Sequence, residues 1–261
     1  MKLITTGCSF AGHASSSTKY DEQESWTYWL EQLVKPDEVI KLGLNGVALD
    51  YMYRSIVDSV MDNLNDDLIV VIGWTSINRW EKFTDGFGNF NGGGLKLHQK
   101  ASQYYMGEYR DDIEYKQHLL NYSRFQEHMR KLHLIIMLAG FLKSHNIKYL
   151  FFNAFDPLDG WKKGTGHYGP SETGENCSVL NKLTDYVIEN VNFLEQTQIE
   201  IGAKEGCVEK VRNGNFDGED KSYPYTKKEY YWTDGWHPSV LAHKEWSKIL
   251  YGHLNKKYGI K

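Results

Sequence analysis

Cysteine is scarce in this sequence: Cys8, Cys177 and Cys207 are the three in a chain of 261 residues. They are too few and too scattered for a disulfide framework or a zinc site, and they point to a reducing compartment or to no role at all. Long apolar runs are missing too. The most apolar window, Leu132–Leu142, is interrupted by His133 and followed by Lys143, far short of a membrane-spanning helix. No charged start leads into an apolar stretch, so no signal peptide is read. The expectation is a soluble, cytoplasmic protein, virion-associated if its source is viral. Basic excess is also absent. Lys+Arg 30 against Asp+Glu 34, with no long basic run, excludes a nucleic-acid footprint, which needs clustered Lys and Arg on one face. No internal repeat and no linker divides the chain, so residues 1–261 read as one domain. With 41% hydrophobic residues it can build a core without disulfide or metal staples. Aromatics reach 14%, and these side chains serve binding surfaces as well as cores.

The elements alternate. Lys2–Thr6 is a short apolar strand running into Gly7-Cys8-Ser9-Phe10. Glu24–Val34 carries Trp26, Trp29, Leu30 and Leu33 at helical spacing. Glu38–Leu42 is a second strand, followed by the turn Gly43-Leu44-Asn45-Gly46 and a helix over Ala48–Leu64. Leu68–Ile72 is a continuous apolar run, as expected of a strand buried on both faces of a parallel sheet. A long helix over His118–His145, a fourth strand over Lys148–Ala154 and a helix over Ser178–Val191 follow. The last element, Pro238–Tyr258, reads as a helix with proline in its first turn. Such alternation predicts a three-layer α/β/α sandwich around a parallel sheet. Two polar, glycine-rich stretches, at about 75–117 and 202–231, read as long insertions of the kind that carry function or contact partners.

Several motifs resemble chemistry without its context. Gly164-Thr165-Gly166-His167-Tyr168-Gly169 fits G-x-G-x-x-G, but no strand runs into it and Pro170 follows, so it reads as a loop. The stretch from Asp85 to Lys96 has Phe87 and Lys96 where a calcium loop needs oxygen ligands. His128 and His133 are spaced wrongly for a shared metal on one helix face and read as surface or satisfied helix histidines. No metal and no cofactor is expected.

Three other signals fall where a parallel sheet gathers its functional groups, at the carboxyl ends of the strands. Ser9 follows strand one on a glycine-assisted turn, where its Oγ and its own N–H can face a crevice. Gly43 and Gly46 follow strand two, where a glycine lets a backbone N–H approach a substrate oxygen. Asp234-Gly235-Trp236-His237-Pro238 precedes the last helix, with both polar side chains on one turn. Each has a plain alternative: an ordinary strand exit, a simple turn, a helix cap with a surface histidine. Cys8, beside Ser9, is a second potential nucleophile, because thiolates attack readily near an imidazole; neighbours on an extended turn point in opposite directions, so only one can face His237.

The order of these pieces resembles the SGNH (GDSL-type) hydrolase superfamily over nearly the whole chain. Gly7-Cys8-Ser9-Phe10 matches its first block, with Cys8 in place of the usual Asp. Leu42-Gly43-Leu44-Asn45-Gly46 is similar to the second, with Gly46 the preferred backbone donor. Asp234 and His237 match the Asp-x-x-His block. The third block departs: where the family has Gly-x-Asn-Asp, this chain has Gly73-Trp74-Thr75-Ser76, placing Thr75 at the asparagine position, with Asn78 as a substitute. The resemblance implies the SGNH hydrolase fold with a flavodoxin-like parallel sheet and the last helix beside the first strand. It also selects Ser9 over Cys8.

It further implies a serine esterase or deacylase with Ser9 as nucleophile, His237 as base and Asp234 orienting it. Ser9, Gly46 and Thr75 would form the oxyanion hole. Arg79 is either paired with Glu81 or an anchor for substrate, and Trp74 and Trp236 are candidate substrate contacts. Tyr230, Tyr231, Trp232 and Trp236 crowd the Asp-x-x-His turn and suit sugar rings, which favours a carbohydrate O-acyl ester. The implied partners are a small-molecule or glycan ester, with neither nucleic acid nor membrane, and a homo-oligomer or larger assembly built through the insertions. The competing reading keeps the fold as a non-catalytic glycan-binding or structural module, for example in a virion.

Overall fold

In the computed structural model, residues 1–8, 10–11, 25–44, 47–77, 79–83, 97–101, 123–155, 158, 178–203, 230 and 238–260 are described. Five strands build the main sheet: β1 (Lys2–Gly7), β2 (Glu38–Lys41), β3 (Leu68–Trp74), β6 (Lys148–Asn153) and β7 (Phe193–Leu194). Their order is β2-β1-β3-β6-β7, and all the pairings are parallel. This is the flavodoxin-like winding, in which the chain reverses direction across the sheet at β1 and β3. The helices are α1 (Trp26–Val34), α2 (Leu49–Met61), α3 (Arg124–Ser144), α4 (Ser178–Asn190) and α5 (Val240–Tyr258).

Alternation along each strand divides the core into two faces. Ile4, Val70, Ile72, Trp74, Tyr149 and Phe151 pack with Met52 and Ile56 of α2, Leu132, Ile135 and Leu138 of α3, and Leu180 and Val187 of α4. Leu3, Ile69, Val71, Leu150 and Phe152 pack with Trp26 and Leu30 of α1 and Trp246, Leu250 and Leu254 of α5. Both faces of β3 are therefore dry, and all seven of its residues are buried. That burial explains why its sequence is unbroken hydrophobe rather than alternating.

Differences from the sequence reading have local causes. The fifth strand, β7, is two residues long and too short to leave a pattern. The segment expected as an insertion at 75–117 contains an antiparallel pair, β4 (Arg79–Phe83) with β5 (Leu97–Ala101), whose mixed charged and apolar residues show no strand periodicity. The last helix begins at Val240, after Pro238. Ser239 is its N-cap and accepts from the Ala242 N–H at 3.3 Å, so a hydroxyl rather than the proline ring starts it. This helix packs on α1 and β6, where Trp246 and Phe152 meet edge to face at 5.1 Å between ring centroids, and its core residues share a cluster with Leu3 of β1. Among the described residues no helix is long and apolar enough to cross a membrane.

Gly73 shows how tightly the second face is filled. A Cβ there would lie 2.7 Å from the Phe152 ring, which Trp26 and Trp246 hold edge-on at 5.3 and 5.1 Å. The ring has no room to retreat. Gly73→Ala is expected to lower the unfolding free energy by about 1–3 kcal/mol, the usual cost of overpacking. Urea denaturation with an unchanged slope and a lower midpoint would show it; an unchanged midpoint would contradict this packing.

Candidate functional site

The carboxyl edge of the sheet is built from the exits of β1, β2, β3 and β6. The exits of β1 and β2 are seated backbone on backbone. Leu44 N–H donates to the Gly7 carbonyl at 3.2 Å, and Ala11 N–H donates to the Cys8 carbonyl at 2.8 Å. A Cβ on Gly43 would lie 3.2 Å from Gly7 O and 3.3 Å from Ala11 O, and one on Gly7 would sit 2.5 Å from the Ala11 side chain. Glycine at 43 lets the second turn sit against the first, and glycine at 7 lets the first turn close over Ala11. Cys8 is fully buried in the core on the α2–α3 face.

The exit of β1 also reaches across to that of β6. Phe10 and Phe155 meet at 4.4 Å between ring centroids. Between them stands the end of β3, where Trp74 is fully buried and edge-on to Phe151 at 5.8 Å. Thr75 is also fully buried, and its hydroxyl has no hydrogen-bond partner among the described residues. Its carbonyl accepts from Lys131 Nζ of α3 at 3.2 Å, and the Lys131 side chain is itself buried.

The last helix is oriented toward the same edge. Near its end, the Tyr258 hydroxyl donates to the Tyr149 carbonyl at 3.0 Å and accepts from Tyr149 N–H at 3.2 Å, at the beginning of β6. Twelve positions earlier, Trp246 lies against Phe152 near the end of that strand. Helix α5 thus runs antiparallel to β6, and its amino terminus points to the carboxyl edge. Ser9, Gly46, Asn78, Asp234, Trp236 and His237 lie outside the described residues, as do Cys177, Cys207 and the glycine motif at 164–169. Arg79 opens β4, and its side chain is likewise outside the description.

Two buried polar side chains of α3 belong to this neighbourhood and were passed over in the sequence. His128, expected as a surface or satisfied helix histidine, is 2% exposed. Burial pushes its imidazole from the usual 6.5 down to about 3, the nearby Lys131 charge adds to the fall, and the Leu158 backbone carbonyl opposes it. The available signal was helical phase. His128 and Lys131 share the stripe of Leu132, Ile135, Leu138 and Leu142, where only apolar residues are ordinarily found.

The flavodoxin-like sheet defines the chain as a doubly wound α/β protein whose crevice lies at the strand exits. Residues 13–177 match the model of a family of unknown function, DUF6071, and the chain belongs to that family. No curated protein matches it in sequence. Among solved structures it is similar to the psychrotrophic esterase EstA from Pseudoalteromonas sp., at 11% identity over 99% of this chain and 98% of that one, with a TM-score of 0.49. It is similar at 12% identity to a GDSL-like lipase from Bacteroides thetaiotaomicron, over 98% of this chain and 88% of that one, with a TM-score of 0.48. The acetylxylan esterase Axe2 from Geobacillus stearothermophilus, solved as a catalytic mutant, aligns at 13% identity over 100% of this chain and 94% of that one, with a TM-score of 0.48.

A buried neutral imidazole makes stability depend on pH. The folded His128 resists protonation down to about pH 3, whereas the unfolded chain takes the proton near 6.5. Its contribution is therefore complete above pH 6.5 and is lost as the pH falls from there toward 3. Urea titrations across that window should give a shallower decline for His128→Gln than for the wild type. Parallel declines would show that His128 is not held neutral.

Proposed function

We propose that this chain is a serine hydrolase of the SGNH kind, an esterase or deacylase whose favoured substrate is a carbohydrate O-acyl ester. The observation that carries the reading is the seating of the Gly43 turn on the Gly7–Ala11 turn at the carboxyl edge, beside the buried hydroxyl of Thr75. Three strand exits that the sequence motifs single out are neighbours there, and α5 aims its amino terminus at the same edge.

In this reading Ser9 Oγ attacks the ester carbonyl carbon while His237 takes the hydroxyl proton. Asp234 holds the imidazole's tautomer and stabilises the imidazolium. The tetrahedral oxyanion is met by the N–H groups of Ser9 and Gly46 and by the Thr75 hydroxyl. Collapse expels the alcohol, which leaves with the proton from His237. Water, deprotonated by His237, then attacks the acyl-serine, releasing the carboxylic acid and restoring Ser9. Cys8 takes no part: its full burial in the core suits a small packed side chain behind the turn. The aromatic residues Tyr230, Tyr231, Trp232 and Trp236 provide flat surfaces for a sugar ring.

Hydrolysis of an aryl acetate tests the assignment. Ser9→Ala and His237→Ala should each remove most of the activity, and Cys8→Ala should leave it largely intact. The reverse pattern would make Cys8 the nucleophile. No turnover by well-folded protein would favour the non-catalytic module.

Thr75→Val tests the third donor, since it keeps the shape and deletes only the hydroxyl. A hydrogen bond to a charged group contributes about 1.5–3 kcal/mol, so kcat should fall roughly ten- to a hundredfold. KM should barely move, because the charge develops only in the transition state. A silent Thr75→Val beside a crippled Asn78→Ala would assign the donor to Asn78.

A further inference from the structure

Asn153 is the last residue of β6, and it is 1% exposed. Neither its amide nitrogen nor its oxygen has a hydrogen-bond partner among the described residues. Leaving both ends of a carboxamide dry and unpaired costs free energy, and most buried polar groups in folded proteins avoid it. A leucine would fill the same volume without that cost, so the fold alone gives no reason for asparagine here.

The position supplies a reason. Asn153 is level with Trp74 in the β3–β6 register, one step below Thr75. Pairing continues past it, because Ala154 N–H donates to the Trp74 carbonyl at 2.9 Å, which fixes the backbone on both sides. By strand alternation its side chain shares the face of Tyr149, Phe151 and Trp74, the face from which Lys131 reaches the Thr75 carbonyl. Two residues on, Phe155 stacks against Phe10, so the exit of β6 is joined to the turn that carries Ser9. Thr75 and Asn153, two buried side chains without a hydrogen-bond partner among the described residues, therefore lie at the ends of adjacent strands.

We propose that Asn153 is a further oxyanion donor, its Nδ2–H pointing at the oxygen that gains negative charge when an ester carbonyl is attacked; this rests on the hydrolase reading above. A carboxamide suits the task. It donates in a fixed direction, carries no proton that it can lose near neutral pH, and is longer than the threonine beside it. Its burial and the backbone pairing of β6 with β3 hold it in place before the reaction, so little reorganisation accompanies the charge. The Lys131 ammonium on the same face adds a favourable field for an anion.

Asn153→Leu separates this role from a structural one. Its thermal midpoint should be unchanged or higher, because an unpaired amide is replaced by a hydrophobe. Its kcat on an aryl acetate should fall roughly 10²–10³-fold, with KM changed by no more than a few-fold. Asn153→Ser, too short to reach, should show the same kcat loss and serves if the leucine variant does not fold. Wild-type kcat in either folded variant, with hydrolysis still dependent on Ser9, overturns this inference alone. A lowered midpoint with kcat reduced only in proportion to the folded fraction makes Asn153 structural. If the wild-type protein shows no Ser9-dependent hydrolysis, the hydrolase reading fails and this one with it.

Discussion

The contact between the Gly7 and Gly43 turns is the constraint on which the site depends. Parallel neighbouring strands normally leave their exits apart, each turn filled by its own side chains. Here Gly43 lacks a Cβ at the point of approach, the Leu44 N–H reaches the Gly7 carbonyl at 3.2 Å, and Gly7 leaves room for Ala11 in its own turn. Any larger residue at Gly7 would strike Ala11, and one at Gly43 would crowd two carbonyl oxygens. The contact between the two exits is therefore made of backbone. That arrangement suits a reaction whose charge is held by N–H groups.

The sheet behind that contact is packed on both faces mainly by apolar side chains. Two dry faces clamp β3, and the aromatic stack of Trp26, Phe152 and Trp246 fixes α1, β6 and α5 to one another. Some of the buried polar side chains lie near the exits. Thr75 follows the last residue of β3, Asn153 ends β6, and Lys131 reaches the Thr75 carbonyl; all three are buried. Short polar side chains at the end of a closely packed sheet can be aimed by the residues packed beneath them.

Most of the fold was legible because its signals are long. The uninterrupted run Leu68–Ile72, the helical stripe of α3 and the strand–helix alternation each follow from burial, which composition records directly. What escaped was short or buried against type. Strand β7 has two residues, and the β4–β5 pair carries charged residues without alternation. The start of α5 was read from Pro238, although Ser239 is the residue whose side chain satisfies the first turn. Of the candidate site, the sequence showed which strand exits to compare: Gly43 lies against the Gly7 carbonyl and Gly7 is level with Gly73, two residues before Thr75, while Ser9, Gly46, Asp234 and His237 lie outside the described residues. Asn153 escaped because a polar residue closing an apolar strand looks like a boundary. Only its missing partners single it out.

The central claim is that this edge activates Ser9 as a nucleophile. The most direct measurement is reaction of the folded protein with a fluorophosphonate, followed by peptide mass spectrometry to find the modified residue. The account predicts one adduct per chain, on Ser9, formed much more slowly when His237 is replaced by alanine. An adduct on another residue, or none on well-folded protein, would contradict it.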